Sequence, residues 1–152
     1  MITIRDRIAL GTLAGIVGTI PSLILNYFSV QLGFAEFYSF QISGSIYLFP
    51  GLTDSVAGMF LGALIWLGFG AFLGIVIVYL FTYTGHDYWW LKGPLVAFVI
   101  MFVGIYGILY TAGAARIVPF DLATNLSEAV GNLIFGLFTA YLVVRWGSAI
   151  RP

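Results

Sequence analysis

The sequence predicts an all-α integral membrane protein: a four-helix transmembrane bundle with both termini cytoplasmic and a long aromatic outer loop between helices 1 and 2. Three observations predict it. The 152 residues are 61% hydrophobic and 8% charged, whereas a soluble domain is about 45–50% apolar and about 25% charged. Four apolar runs are long enough to cross the roughly 30 Å of bilayer hydrocarbon, which takes about 20 helical residues. Five of the six Lys and Arg residues fall on one side of those runs.

The four spans cover about 8–30, 55–83, 91–115 and 127–146 of a single domain, 1–152. Their only ionisable side chains are Lys92, Glu128 and Arg145, each one residue from an end of its run. The first run begins after a basic start, as a signal peptide would. It exceeds the usual 7–15 apolar residues and lacks a small-residue cleavage site, which marks a retained helix. Pro21 inside it removes a helix hydrogen bond and predicts a bend. The 31–54 segment, "QLGFAEFYSFQISGSIYLFPGLTD", has no basic residue and five aromatics between Phe37 and Phe49. It reads as a partly ordered connection anchored at the interface, or as a segment folded over the bundle mouth. "FPG" at 49–51 predicts a turn before the second span.

Orientation follows from charge, because cytoplasmic ends carry the Lys and Arg excess. Arg5, Arg7, Lys92, Arg145 and Arg151 lie on one side and Arg116 alone on the other. Trp89, Trp90 and Trp146 fit an inner aromatic belt.

Lipid supplies no hydrophobic drive for helix association, so small residues should mark the packed faces. Helical spacing aligns Gly11, Gly15, Gly18, Ser22 and Asn26 in the first span. It aligns Gly93, Ala97, Gly104, Gly107 and Thr111 in the third, and Asn125, Glu128, Asn132, Gly136 and Thr139 in the fourth. In the second span, Gly58-x-x-x-Gly62 and Gly70-x-x-x-Gly74 fall on different faces, which suit either the bundle and a neighbouring subunit or packing within the chain alone. Matching "GAFLGIVIVY" from Gly70 with "GLFTAYLVVR" from Gly136 suggests two related helical hairpins, which would also equate Gly15 with Ala97.

Charge balance is neutral, six basic against six acidic residues, which gives no attraction for nucleic acid. Cysteine is absent and His86 is the single histidine, so thiol chemistry and a His metal cluster within the chain are excluded. No cofactor and no catalytic motif is expected: G-x-S-x-G, H-E-x-x-H and a phosphate-binding glycine loop are all missing.

Polar residues gather toward the outer end: Asn26, Asp54, Thr111, Arg116, Asp121, Asn125, Glu128 and Asn132. Two readings compete. One is an outward-facing polar vestibule for a small ligand, a lipid headgroup or an ion. The other, more economical, makes Asn125 and Glu128 an N-x-x-E cap at the start of the last helix, with Arg116 paired to Asp121 or Glu128. Asn132 is explained by neither cap nor charge pairing and requires a partner inside the bundle.

The glycine-spaced "GTLAGIVGTI", the loop motif "EFYSF", the "LKGPL" opening of the third span and "SEAVGNLIFGL" in the fourth together resemble the YqhR-like small four-span membrane proteins of Gram-positive bacteria. The resemblance implies a multi-pass protein of the bacterial cytoplasmic membrane and supplies no activity. The expected function is a non-enzymatic structural or accessory membrane subunit, in contact with the lipid bilayer and with a homo-oligomer or membrane-complex partner. A small channel or facilitator using the outer vestibule is the alternative, and a lipid-acting membrane protein the third.

Overall fold

The structure, a computed structural model, describes residues 3–147. Arg151, one of the residues used to orient the chain, lies outside the described residues. Among the described residues, four helices are long and apolar enough to cross a membrane: Arg7–Gln31, Val56–Thr84, Trp89–Leu109 and Leu122–Trp146. In chain order the elements are α1 (Arg7–Gln31), α2 (Ser39–Gly44), α3 (Pro50–Thr53), α4 (Val56–Thr84) and α5 (Trp89–Ala97). A π-helical segment (Phe98–Tyr106), α6 (Gly107–Thr111) and α7 (Leu122–Trp146) follow. The third span is therefore α5, the π segment and the start of α6.

The backbone N–H of Ile4 donates to Trp146 O at 2.9 Å, so the start of α1 and the finish of α7 share one end of the bundle, the terminal end. The α1–α4 and α6–α7 connections occupy the far end. At the terminal end, Asp6 caps α1 by accepting from Ala9 N at 2.6 Å. Lys92 Nζ donates to the carbonyls of Thr84 and Gly85 at 3.0 and 2.9 Å. These carbonyls finish α4, where a helix leaves acceptors unsatisfied and favours a cation.

α1 is the central helix, packed on both α4 and α7. Its predicted stripe, Gly11, Gly15, Gly18, Ser22 and Asn26, is buried throughout. A Cβ on Gly15 would fall on the Gly70 carbonyl of α4, and one on Gly74 would fall on the Gly11 carbonyl. On the other flank, Gly18 faces Thr139 and Ser22 faces Gly131 of α7. The third span packs on α7, where Gly136 meets Gly93 and Ala97. Gly70 on Gly15 and Gly136 on Ala97 are thus corresponding contacts, at positions the hairpin alignment equates.

All four glycines of the second span's motifs are used within the chain. Gly70 and Gly74 receive α1, whereas Gly58 faces the Leu52 carbonyl and Gly62 the Phe40 carbonyl of the α1–α4 connection. The two faces serve two parts of one molecule, and the motif needs no neighbouring subunit.

The connection 32–55 is an ordered cover rather than a loose hairpin. Ser39, Ile42, Ser43, Gly44 and Ser45 are buried. Below it, Leu10, Ala14, Ile77, Val78, Phe81, Ala140 and Val143, none more than 1% exposed, fill the half toward the terminal end.

Two predicted boundaries move. The third span leaves the helix at Thr111, not at residue 115, with Gly113 at φ 65° in the turn that follows. Its predicted inward stripe also fails beyond Ala97: Gly104 and Gly107 are half-buried and Thr111 is exposed, whereas Met101 is buried. A π segment bonds i to i+5, so a 3.6-residue periodicity drawn through it rotates off the packed face. The fourth helix starts at Leu122, five residues before the predicted 127, because Asp121 caps it.

The contacts at the glycines lead to a paired test. Gly74→Ala must push α1 and α4 apart and should cost about 1–3 kcal/mol, read as a lower melting temperature in detergent. Gly68→Ala, on the same helix with nothing within 4 Å, should be neutral or slightly stabilising, since alanine is the better helix former by about 1 kcal/mol.

Candidate functional site

The far end of the bundle carries a buried polar cluster centred on Glu128. Helix α7 places this residue about 9 Å along its length from Leu122, at about 1.5 Å per residue. It is 3% exposed. The facing Asn26 comes from α1 and is 6% exposed. Ser39, the first residue of α2, completes the group from above. Ser39 Oγ donates to Glu128 Oε1 at 2.6 Å, and Asn26 Nδ2 donates to the same oxygen at 3.2 Å. Asn26 Oδ1 accepts from Ser39 N at 3.0 Å. Each of the three residues therefore touches the other two.

A second ring of bonds holds this triangle in place. Ser43 Oγ donates to Ser39 O at 2.8 Å, Glu36 N donates to Thr124 Oγ1 at 2.8 Å, and Asn132 Nδ2 donates to Glu128 O at 2.8 Å. The outcome is mechanical: the connection is fastened to α1 at Asn26 and to α7 at Thr124 and Glu128.

The expected N-x-x-E cap of Asn125 and Glu128 is overturned. The cap is Asp121, whose Oδ1 accepts from Thr124 N at 2.6 Å, leaving Glu128 nearly two turns inside the helix. That backbone donor holds the Asp121 carboxyl below the usual carboxylate range. Asn125 has another task, donating from Nδ2 to Pro119 O and Asp121 O at 2.9 and 2.8 Å and accepting from Tyr106 Oη at 3.3 Å. Asn125 thereby ties the third span and the α6–α7 connection to α7.

The expected pairing of Arg116 with Asp121 or Glu128 is replaced by another contact. Arg116 is exposed, its guanidinium lying 4.3 Å from the centre of the Phe49 ring, and its backbone N–H donates to Ser45 O. Asp54 is exposed and accepts from Gln41 Nε2 at 2.6 Å. Thr111 is exposed, its hydroxyl turned back onto its own helix at Gly107 O. The predicted rim thus divides into three parts: a buried cluster of Asn26, Glu128 and Asn132, a cap of Asp121 and Asn125, and the separate exposed residues Asp54, Thr111 and Arg116.

Sequence reasoning missed Ser39 and Thr124. The signal was present in the spacing of Ser39 and Ser43, one helical turn apart between aliphatic and aromatic residues, which marks a small polar face suited to close packing. Chemically, the Ser39 hydroxyl beside the Glu128 carboxyl has the form of a nucleophile and base. Both side chains are 3% exposed, and the Ser39 hydroxyl and the Asn26 amide share the one oxygen, Glu128 Oε1.

Two expected outcomes check the cluster and the cap by thermal unfolding in detergent. Glu128→Gln retains an Oε1 acceptor and should stay within about 1 kcal/mol of the parent, whereas Glu128→Leu strands the Ser39 and Asn26 donors and should cost about 1–3 kcal/mol. Equal losses in the two variants would contradict the hydrogen-bond assignment. For Asp121, a depressed folded-state pKa means stability that is present above the ordinary aspartate value, about 3.9, and lost as pH falls through the folded value. Asp121→Asn should keep the cap yet lessen that acid-limb decline, and Asp121→Ala should lose about 1 kcal/mol at neutral pH.

No protein-family model, curated protein or solved structure matches this chain.

Proposed function

We propose that the protein is a non-enzymatic structural or accessory subunit of a bacterial cytoplasmic membrane, related to the YqhR-like group, with both termini in the cytoplasm and the 32–55 cover outside. One observation carries the functional part. Asn26, Ser39 and Glu128 bond to one another across α1, α2 and α7, which suits a fastening and leaves the Glu128 Oε1 acceptor occupied. The apolar cluster of Leu10, Ile77, Val78, Phe81 and Val143 beneath it further supports a solid body over a conduit along the bundle axis. The third span offers the surface for a partner or for lipid, since 17% of its most apolar window is buried against 33–44% in the other three.

Flux measurements separate this reading from a facilitator. Proteoliposomes of the purified chain should pass water, glycerol and Na⁺ no faster than protein-free vesicles. A protein-dependent flux that Glu128→Leu or Asn26→Leu alters would replace the accessory reading with the facilitator one. Orientation has its own test, made simple by the absence of cysteine. A membrane-impermeant maleimide should label Tyr47→Cys in intact cells and Asp87→Cys only after permeabilisation, both positions being exposed. The reverse pattern would invert the topology.

A further inference from the structure

The third span and α4 meet without a small-residue seam. The four motif glycines of α4 face α1 and the connection, and the atoms nearest to Gly104 and Gly107 are the Val99 and Phe102 carbonyls of their own span. Membrane helices that lack such contacts keep their backbones apart. Between the two, under the cover, runs a crevice walled by Ile42 and Ile46, by Trp66 and Phe69 of α4, and by Ile105 and Leu109 of the third span. Ile46, Trp66, Phe69, Ile105 and Leu109 are each only half-buried, so the crevice opens outward between the helices.

Depth and chemistry select the occupant. Trp66 stands ten residues from the far-end start of α4, about 15 Å at about 1.5 Å per residue, so the crevice reaches from the cover to about the middle of the roughly 30 Å of hydrocarbon. What lies outside an apolar opening at that depth is lipid. The unfilled space, about 360 Å³ with the open side included, suits a length of one acyl chain lying against the walls. The rim adds a second, independent feature. Buried Ala115 forms part of the wall, and the next residue is Arg116, the one basic residue of the far end among the described residues. Its backbone is fixed by the bond to Ser45 O at 3.3 Å, and its exposed guanidinium lies 4.3 Å from the Phe49 ring centre. Among the described residues that guanidinium has no carboxylate partner, while Asp54 accepts from Gln41 and Asp121 from Thr124 N. An arginine so placed offers the forked donors that match phosphate oxygens.

We infer that the crevice between α4 and the third span is a binding site for one membrane phospholipid, its acyl chain against Trp66, Phe69 and Ile105 and its phosphate on Arg116. The site rests on the reading of the four helices as membrane spans. It holds whichever end is cytoplasmic and whatever complex the protein serves.

The test is fluorescence quenching by phospholipids brominated on the acyl chain. With Trp89, Trp90 and Trp146 replaced by Phe, Trp66 is the single reporter. Leu64→Trp in a Trp66→Phe background puts a control reporter two residues away, at nearly the same depth, on the exposed side of α4. The vesicles are phosphatidylcholine with a minor share of brominated phosphatidylglycerol, whose phosphate has no choline cation competing with Arg116. The expected result is stronger quenching of Trp66 than of the control, an excess that both Arg116→Gln and the crevice-filling Ile105→Phe lose. Leu109→Phe takes the place of Ile105→Phe if the latter does not fold. Quenching of Trp66 no stronger than the control would overturn the inference, as would an excess that survives the filling variant. An excess that survives Arg116→Gln would overturn the assignment of the phosphate. In vesicles made wholly of brominated lipid the control reporter must be quenched; if it is not, the membrane reading itself falls.

Discussion

Everything at the far end depends on how closely α1 approaches its neighbours. Helices in lipid gain nothing from burying one apolar surface against another, so they must approach until backbones touch. Gly11 and Gly15 of α1 meet Gly74 and Gly70 of α4 with no room for a Cβ, and Gly18 does the same against Thr139 of α7. A separation larger by the thickness of one methyl group would leave Asn26 unable to reach Glu128, whose shared bond is 3.2 Å. The glycine seam near the middle of the bundle thus sets the geometry of a polar cluster two turns away. Neither feature is independent of the other.

The cover follows from the same constraint. A carboxyl buried nearly two turns inside a helix needs donors, and the hydrocarbon surroundings offer none. α1 supplies the Asn26 amide, and the remaining donor comes from outside the long helices, as the Ser39 hydroxyl. The serine also turns its backbone N–H onto Asn26 Oδ1, so that a six-residue helix is held at both its main chain and its side chain. Gly62 then lets the Phe40 carbonyl lie directly on α4. The glycines of the second span, which look in the sequence like a dimer motif, are the floor on which this short helix rests.

What the sequence made legible divides along physical lines. The number of spans, their approximate limits and the α1 stripe were all readable, because each rests on composition or on an unbroken 3.6-residue period. The third span was not, because a nine-residue π segment breaks that period and nothing in "FVIMFVGIY" announces it. The start of α7 was misplaced because two acceptable caps compete in "FDLATNLSE": Asp121 with the Thr124 N–H, and Asn125 with Glu128. Asn125 and Glu128 carry the box spacing, but Asp121 follows the irregular 117–120 stretch, and a helix begun there buries Thr124 against Glu36. Ser39 was invisible because its role depends on a fold-back of the chain that local spacing cannot specify.

The bundle is unequal along its length, and the inequality constrains function. Toward the terminal end the interior is aliphatic and sealed, from Leu10 to Val143. Toward the far end, directional bonds add to the apolar packing of Ile42, Met101 and Ile117: Ser39 to Glu128, Asn26 to Glu128, Glu36 to Thr124 and Asn125 to Pro119. Dispersion contacts tolerate small slides, whereas the hydrogen bonds here, at 2.6 and 3.2 Å, also require the donor to be aimed at the acceptor and weaken steeply when misaligned. The far end is accordingly the part of the molecule whose geometry is most closely specified. A subunit that works by presenting a fixed surface has reason to concentrate directional bonds beneath that surface. A conduit would instead require those donors and acceptors to be released to a passing solute. With Glu128 Oε1 already accepting two bonds and Ser39 donating one while its N–H is held by Asn26, release would mean breaking the attachment of the cover itself.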